Sequence, residues 1–356
     1  MKGLSKILFP LLFAFFLPAA EWVPAPGGQP NRQPQLAALG TEVVMTYGAG
    51  DTVYFTGSRD SGKTWSKPVS IAEKGKLSLG MRRGPRIALS NGAIVVTAIV
   101  GEKGRGADGD VMSWRSVDHG ATWSAPKRVN DVAASAREGL HSLAAGGKNI
   151  LFATWLDLRE KGTKLYGSVS LDGGVNWSPN RLVYQSESGS VCECCHPTVA
   201  INDEGVIGIM FRNSLDGNRD MYLVKSSDNG GSFGTAKKLG TGTWKLNACP
   251  MDGGSLALGL KNSALSVWRR EGNLFLSKGD DETPLGLGRQ PVLAHTAKET
   301  YLAWTEGKAI RWKRVGDANV TTLSGEGTFL SLVALQDGSA ILAAERDGTV
   351  FVETIR

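Results

Sequence analysis

The segment CECCH, from Cys192 to His196, holds the most versatile chemistry in the chain. Three of the four cysteines lie in it, at Cys192, Cys194 and Cys195, and the fourth is Cys249. Thiols can pair as disulfides, and thiolates together with a histidine can hold copper or zinc. The segment therefore offers either a covalent link or a soft-metal site.

A second kind of chemistry is spread along the chain, as arginines and carboxylates at the ends of short apolar-polar runs. The main candidates are Arg83, Asp108, Glu193, Arg212 and Arg270. Guanidinium groups grip anionic sugars through paired hydrogen bonds, and a carboxyl group of raised pKa can transfer a proton at a glycosidic oxygen. If the fold brings these residues together, they indicate a carbohydrate ligand.

Four octamers with the pattern SxDxGx(T/N/S)(W/F) are the elements that would position these residues. They read SRDSGKTW from Ser58, SVDHGATW from Ser116, SLDGGVNW from Ser170 and SSDNGGSF from Ser226. Their aspartates are 58, 54 and 56 residues apart. Because each octamer lies between two β-rich runs, we interpret it as a hairpin turn. Its aspartate would accept backbone N–H bonds, its glycine would supply a positive φ, and its aromatic ring would pack between neighbouring sheets.

Two further alternating runs precede each octamer, so that each repeat supplies four strands, as one blade of a propeller does. Units without the octamer continue the series near Cys249, Gln290 and Thr328. The sequence therefore predicts an all-β fold, a single β-propeller over residues 21–356. We count seven blades, and because the last units are short, six blades plus a strand pair is the alternative.

The first 20 residues have the layout of a secretory signal peptide. Lys2 and Lys6 precede an apolar run over residues 7–17, and Ala19 and Ala20 stand before the expected cleavage point. We expect a secreted or periplasmic protein with no membrane span in the mature chain, an uncleaved anchor being the alternative. Cleavage would remove the two lysines and leave 38 basic and 34 acidic side chains. Because these charges are interspersed and form no basic run, they argue against a nucleic-acid partner.

Export favours disulfides among the four cysteines. Since three clustered cysteines have one partner outside the cluster, full pairing needs one bridge inside it. We expect Cys192 to pair with Cys195 and Cys194 with Cys249, because a bridge between adjacent cysteines needs an unfavourable peptide geometry. One bridge with two free thiols stays open, as does a metal site that includes His196, although this spacing fits no zinc template.

Propeller topology places the loops that enter each first strand, and those that follow each second strand, on the face opposite the octamers. We therefore predict a polar binding site on that face. Its candidates are Arg83, Asp108, Glu138, His141, Asp157, Arg159, Glu193, His196, Arg212, Arg219, Asp220, Asp252 and Arg270. Trp155, Trp268 and Trp304, near the same strand ends, would stack on sugar rings or pack between blades.

The octamers resemble the Asp-box, or bacterial neuraminidase repeat, of the sialidase superfamily. In that family an arginine triad holds the substrate carboxylate, an aspartate is the acid/base, and a tyrosine paired with a glutamate is the nucleophile. The resemblance implies that Arg83, in RGPRIALSNG, is the first arginine and that Asp108, 25 residues later, is the acid/base. It implies Glu193 as the glutamate and Arg212, 19 residues later, as the second arginine. Arg270, in WRREG, would be the third.

The sequence departs from that family at the nucleophile. The segment TFLSLVALQDG puts Phe329 at the tyrosine position, and a phenylalanine cannot attack carbon. Tyr301, one unit earlier, would serve only if the strand register differed. Weaker alternatives for the arginines are Arg32 and Arg289, and Asp110 neighbours the acid/base candidate.

We therefore expect a monomeric, cofactor-free propeller with a glycan ligand. As an enzyme it would be an exo-glycosidase of the exo-α-sialidase type, acting on terminal anionic sugars. A non-catalytic propeller that binds a glycan or a protein is the alternative, favoured by Phe329. A thiol- or metal-binding propeller is the third reading.

Overall fold

The computed structural model describes residues 21–72, 75–104, 106–147, 149–259 and 263–356. The predicted signal peptide, residues 1–20, lies outside the described residues. Strands in the described ranges form seven antiparallel sheets. The prediction of an all-β propeller is confirmed, and its seven blades exclude the alternative of six blades and a strand pair. Within the same ranges no helix is long and apolar enough to cross a bilayer.

Blades 1 to 4 each contain one octamer. Their strands, in chain order, are β2 (Asn31–Leu39), β3 (Glu42–Ala49), β4 (Thr52–Ser58) and β5 (Val69–Ala72) in blade 1; β6 (Lys76–Leu77), β7 (Arg86–Ser90), β8 (Ala93–Gly101), β9 (Asp110–Ser116) and β10 (Lys127–Arg128) in blade 2; β11 (His141–Gly146), β12 (Ile150–Asp157), β13 (Lys164–Ser170) and β14 (Arg181–Tyr184) in blade 3; and β15 (Thr198–Ile201), β16 (Ile207–Arg212), β17 (Met221–Ser226) and β18 (Lys237–Lys238) in blade 4.

Blades 5 to 7 lack the octamer, and blade 7 includes the first strand of the described chain. Their strands are β19 (Gly254–Leu258), β20 (Ala264–Arg270), β21 (Asn273–Lys278) and β22 (Asp281–Leu287) in blade 5; β23 (Arg289–His295), β24 (Thr300–Glu306), β25 (Ala309–Arg314) and β26 (Thr321–Glu326) in blade 6; and β27 (Thr328–Ala334), β28 (Ala340–Arg346), β29 (Thr349–Ile355) and β1 (Glu21–Val23) in blade 7.

Blade 7 closes the ring with both ends of the described chain. Strand β1 pairs antiparallel with β29, so that Trp22 lies opposite Phe351 and Val23 opposite Val350. Val23 is buried in the core that blades 7 and 1 share. The pairing completes a four-stranded blade whose outermost strand comes from the other end of the sequence.

The octamers are hairpin turns between the third and fourth strands of their blades, as predicted. In the first octamer, Asp60 Oδ1 accepts the Ser58 hydroxyl at 2.7 Å and the Thr64 N–H at 2.9 Å. Its Oδ2 accepts the Thr64 hydroxyl at 2.7 Å. These bonds, the one from the Thr64 hydroxyl first, lower the pKa of Asp60 to about 2. The aspartates of the other three octamers accept the equivalent hydrogen bonds, so all four carboxylates stabilise their turns.

The octamer glycines and aromatic rings join each blade to the one before it. Gly120 has φ +86°, and a Cβ there would overlap the ring of Phe55 in blade 1. Trp123 lies edge-on to the same Phe55 ring, with 5.2 Å between ring centroids. Equivalent close approaches join Gly62 to Ile341, Gly174 to Val95, and Gly230 to Phe152.

Blade 2 differs from the others in its innermost strand. Strand β7 pairs with residues 93–97 of β8, while the short β6 pairs with Val100 and Gly101 farther along. The chain between β6 and β7, residues 78–85, therefore leaves the sheet edge as a loop at the central channel. This loop carries Arg82 and Arg83.

We expect Gly120→Ala to destabilise the fold more than Gly92→Ala. Both glycines have nearly the same positive φ, +86° and +87°, but a Cβ at Gly92 meets nothing within 4 Å. The two substitutions therefore add similar backbone strain. The additional decrease in the free energy of unfolding for Gly120→Ala, roughly 1–3 kcal/mol, comes from the overlap with Phe55. Urea denaturation measures both; equal losses would contradict the close approach between blades.

Candidate functional site

The face opposite the octamers is where the loops that enter the innermost strands converge on the central channel. In five blades a polar or large residue at the start of the innermost strand, or in the loop just before it, lies in the left-handed region, with φ between +50° and +65°. These residues are Gln33, Arg82, Met251, Gln290 and Phe329. Left-handed residues other than glycine concentrate at functional sites, where the surrounding structure compensates their strain. We call this region the channel mouth.

Four buried arginine side chains form the floor of the channel mouth. They are Arg82, Arg86, Arg212 and Arg269, and we call them the arginine cluster. Burial lowers the pKa of Arg82, Arg86 and Arg269, that of Arg86 to about 9. The buried carboxylate paired with them is Asp252, whose Oδ2 lies 3.1 Å from Arg269 Nε.

All four arginines of the cluster donate to backbone carbonyls, Arg82 to that of Gln290 at 2.9 Å and Arg269 to that of Pro250 at 2.8 Å. Arg212 donates to the carbonyls of Arg219, Asp252 and Arg269 at 2.5–3.2 Å. Arg86 donates to four carbonyls of residues 82–85 at 2.5–3.2 Å. Carbonyl dipoles stabilise a buried cation without cancelling its charge, so the cluster keeps an excess of positive charge beneath the mouth.

Several buried polar atoms of the mouth have no hydrogen-bond partner among the described residues. They are Nε2 of Gln33, Nε of Arg82, Nδ1 of His141 and Oδ1 of Asp252. Buried polar atoms normally find a partner, so a group of polar atoms without one marks a place for water or a polar ligand.

Three charged residues lie at the outer edge of the mouth: Arg83, Glu138 and Glu193. Arg83 Nε donates to the Glu138 carbonyl at 2.6 Å. Burial raises the pKa of the Glu138 carboxyl, the Arg83 charge opposes this shift, and the Glu193 charge adds to it. Glu193 is exposed and accepts a hydrogen bond from Ser190 at 3.1 Å. We call these three residues the Glu138 group.

Asp108 and Arg270, the predicted acid/base and third arginine, lie apart from this group. Asp108 accepts the backbone N–H groups of residues 102–104 at 2.8–3.1 Å, and these bonds, that of Glu102 first, lower its pKa. Arg270 makes two hydrogen bonds to Glu282, at 2.8 and 2.6 Å. Its neighbour Arg269 points to the mouth instead, because successive strand residues face opposite sides.

Most of the other residues predicted on this face are hydrogen-bonded to neighbouring residues or buried in the cores. Asp157 is buried and accepts bonds from Ser135, Trp155 and Arg159. Asp220 accepts the N–H of Trp244. Trp155, Trp268 and Trp304 are buried in the cores between blades. Among the weaker alternatives, Arg32 pairs with Glu345 at 2.8 Å and Asp110 accepts the side chain of Asn130 at 2.6 Å.

Phe329 and Tyr301 occupy different surroundings. The Phe329 backbone N–H donates to Gln290 Oε1 at 3.1 Å, in a β-bulge at the start of β27. The Tyr301 side chain is buried in the core of blades 6 and 7, and its hydroxyl donates to the Gly338 carbonyl at 2.5 Å. Tyr301 is therefore a core residue with its hydroxyl occupied.

The cysteine segment lies beside the arginine cluster. The sulfurs of Cys192, Cys194 and Cys195 all lie within 4.8 Å of one another, and we call them the thiol cluster. Cys249 is exposed, and all four cysteines are free thiols in the structure. The predicted pairings of Cys192 with Cys195 and of Cys194 with Cys249 stay predictions. Burial raises the pKa of the Cys195 thiol to about 12, and the contact with Cys194 is first among the causes that raise that of Cys192 to about 11.

Two histidines, His141 and His196, are buried next to the arginine cluster. Burial lowers the pKa of both imidazoles well below the ordinary value, and the neighbouring arginine charges lower it further. Both rings are therefore neutral. His141 Nε2 lies 3.1 Å from the Thr97 hydroxyl, and His196 packs against Gly253.

The arrangement of blades and octamers agrees with comparisons of the sequence. Residues 47–306, well over half of the chain, match the family model described as a BNR repeat-like domain. The chain belongs to this family. No curated protein sequence matches this BNR propeller.

Solved structures share the fold of this BNR propeller at low sequence identity. An α-L-arabinanase of Penicillium chrysogenum, in complex with arabinobiose, is 16% identical with a TM-score of 0.52, over 95% of this chain and 98% of that one. The NanB sialidase of Streptococcus pneumoniae is 11% identical with a TM-score of 0.56, over 95% and 70%. The polysaccharide lyase Uly1 is 11% identical with a TM-score of 0.58, over 92% and 90%.

The Glu138 group predicts opposite pKa shifts for two substitutions. Glu193→Gln removes a like charge and should lower the pKa of Glu138, whereas Arg83→Gln removes an opposite charge and should raise it. A carbon-13 NMR titration of the Glu138 carboxyl measures both, with Glu187→Gln on an exposed loop as the control. Shifts of the same sign in both variants would show that the three side chains do not interact as described.

Proposed function

We propose that this BNR propeller is an exo-glycosidase that removes terminal anionic sugars from glycans at the channel mouth. The Glu138 group carries this proposal, because it combines two neighbouring carboxylates with a guanidinium at the edge of a positively charged mouth. Related folds that act on arabinan, sialic acid conjugates and polysaccharides support a carbohydrate substrate. The protein would act outside the cytoplasm, after removal of its signal peptide.

The roles of the two glutamates follow from their surroundings. Glu138 is half-buried and burial raises its pKa, so it holds a proton to higher pH than an exposed glutamate and, when protonated, can donate it to the glycosidic oxygen. Glu193 is exposed and accessible to water. In its ionised form it would take the proton from a water molecule that attacks the anomeric carbon. The bond from that carbon to the leaving oxygen breaks, and the leaving group departs with the proton of Glu138.

The positive charge of the mouth selects the substrate. The four arginines of the cluster face one buried carboxylate, Asp252, so the mouth attracts anionic groups from solution. Arg83, half-buried at the edge, is placed to bind the carboxylate of a terminal sugar. Arg212 and Arg270, the other members of the implied triad, are already bound by carbonyls and by Glu282. The mode of binding thus differs from the one the sialidase resemblance implies.

The proposed acid is Glu138, whereas the sialidase resemblance implies Asp108. Asp108 accepts backbone N–H bonds that lower its pKa and favour its ionised form, which cannot donate a proton. Glu138 has the raised pKa that the role needs. Since Phe329 stands at the tyrosine position, direct attack by water replaces a covalent tyrosine intermediate in this proposal.

A binding propeller without catalysis is the second candidate, and Phe329 favours it. Its left-handed backbone sets its peptide N–H against Gln290, and its side chain supplies no nucleophile. An apolar ring at the mouth would instead stack on a sugar ring. The two candidates predict different effects of the same glutamate substitutions.

We expect the protein to release methylumbelliferone from its conjugate with an anionic sugar. The sialic acid and glucuronic acid conjugates are tested as anionic substrates, and the arabinofuranoside is tested as the neutral one. Glu138→Gln should lower kcat at least a hundredfold with an unchanged dissociation constant, because it removes the proton donor and keeps the shape. Glu187→Gln is the control. Binding of these sugars without release, unchanged in Glu138→Gln, would replace the glycosidase with a binding propeller.

The pH profile of that activity provides a separate check. Glu138 acts as an acid only while protonated, and its raised pKa keeps the proton to a higher pH than the ordinary 4.5. Activity should therefore fall, as pH increases, at a point above 4.5. Arg83→Gln should move this fall to still higher pH, because the opposing cation is removed. If Arg83→Gln does not change the pH at which activity falls, Glu138 is not the acid.

A further inference from the structure

We propose that Cys192, Cys194 and Cys195 form a binding site for one Cu(I) ion beside the channel mouth. This site is independent of the proposed glycosidase activity. It rests on the geometry of the thiol cluster, on the charge around it and on the number of ligands it offers.

The geometry suits a single ion. Cys192 Sγ lies 3.7 Å from both Cys194 Sγ and Cys195 Sγ. A metal–sulfur bond of about 2.3 Å places the sulfurs of one coordination sphere about 4 Å apart, so an ion can join all three with little movement. Cys192 and Cys195 are buried and Cys194 is half-buried, which leaves a path from solvent on one side.

The backbone around the thiol cluster is held in place before any ion binds. Val191 forms a β-bridge with Asn213, and the Cys192 N–H donates to the Arg212 carbonyl at 3.1 Å. The cluster is thus anchored to the end of β16, whose last side chain, Arg212, is itself fixed by carbonyls. Ligands held by rigid elements bind a metal with little loss of conformational entropy.

The charge around the cluster favours an anionic metal complex. Three thiolates with Cu(I) have a net charge of −2. Cys195 interacts electrostatically with Arg212 and with Arg269, two members of the arginine cluster. The buried carboxylate Asp252 offsets only part of that positive charge. A negative complex at the thiol cluster would therefore offset charge that the described residues leave unbalanced.

The number of ligands selects the metal. Among the described His, Cys, Asp and Glu residues, the group that comes together contains three cysteines and no fourth member. Soft thiolates suit both Zn(II) and Cu(I), but zinc takes four ligands, the fourth being water where the protein supplies three, whereas three thiolates alone complete the coordination of Cu(I). Binding forms three S–Cu bonds and releases the three thiol protons to solvent, and copper stays in the +1 state throughout.

The test is anaerobic titration of the reduced mature protein with Cu(I) in competition with a bathocuproine chelator. We expect one tightly held equivalent, with a thiolate-to-metal charge-transfer absorption in the ultraviolet. Cys194→Ser should weaken binding at least tenfold, because it removes a ligand, while Cys249→Ser should leave it unchanged. Circular dichroism shows whether Cys194→Ser is folded.

A second measurement uses the unaltered protein and does not depend on how a variant folds. Bound Cu(I) should protect Cys192, Cys194 and Cys195 from N-ethylmaleimide, while the exposed Cys249 is labelled. Equal protection of Cys249, equal losses in the two serine variants, tighter retention of Zn(II) than of Cu(I), or no retained copper would each overturn the proposal. A disulfide within the cluster that re-forms after reduction and prevents copper binding would do the same.

Discussion

Contact between adjacent blades through the octamer glycines is the constraint on which the rest of the structure depends. Gly120 and Gly174 combine a positive φ with an approach to the preceding blade that leaves no room for a Cβ. Each octamer thus bends its own hairpin and also sets the distance and angle to its neighbour. Because the same geometry recurs in four consecutive blades, the small rotation per blade adds up to a ring. The ring then places seven innermost strands around one channel.

The channel mouth is a consequence of that convergence. Loops and strand ends from different blades bring together arginines that lie far apart in sequence, such as Arg82 and Arg269. Burial would make their charges costly in isolation. The fold meets this cost with backbone carbonyls, which hold Arg86 and Arg212 without neutralising them. The mouth therefore retains a positive potential, and this potential favours both an anionic sugar and an anionic metal–thiolate complex.

The fold could be predicted from the sequence because the octamer is local: its turn chemistry and the length of one blade follow from eight consecutive residues and their repetition. The three blades without an octamer were counted from alternating apolar and polar runs at the same spacing. The side of the ring on which the entering loops lie could be predicted for the same reason. Which of Arg269 and Arg270 points to the channel mouth could not be predicted. Successive residues of a strand face opposite sides, so an error of one position exchanges the two arginines. Arg82 and Arg86 were missed since burial of an arginine by carbonyls leaves no pattern in sequence. Glu138 was predicted on the face opposite the octamers, but its raised pKa depends on burial and on Glu193, which lies far from it in sequence.

The pairing of β1 with β29 has a consequence for how the protein is made. The outermost strand of blade 7, β1, is made before the other six blades, whereas its three partners, β27 to β29, are made after them. Six blades can form by local hairpins during synthesis, but the ring stays open, with one sheet edge unpaired, until β29 has been made. An open edge invites pairing with other chains. A chain that crosses a membrane unfolded would close its ring on the far side, once β1 and β29 are both there to pair.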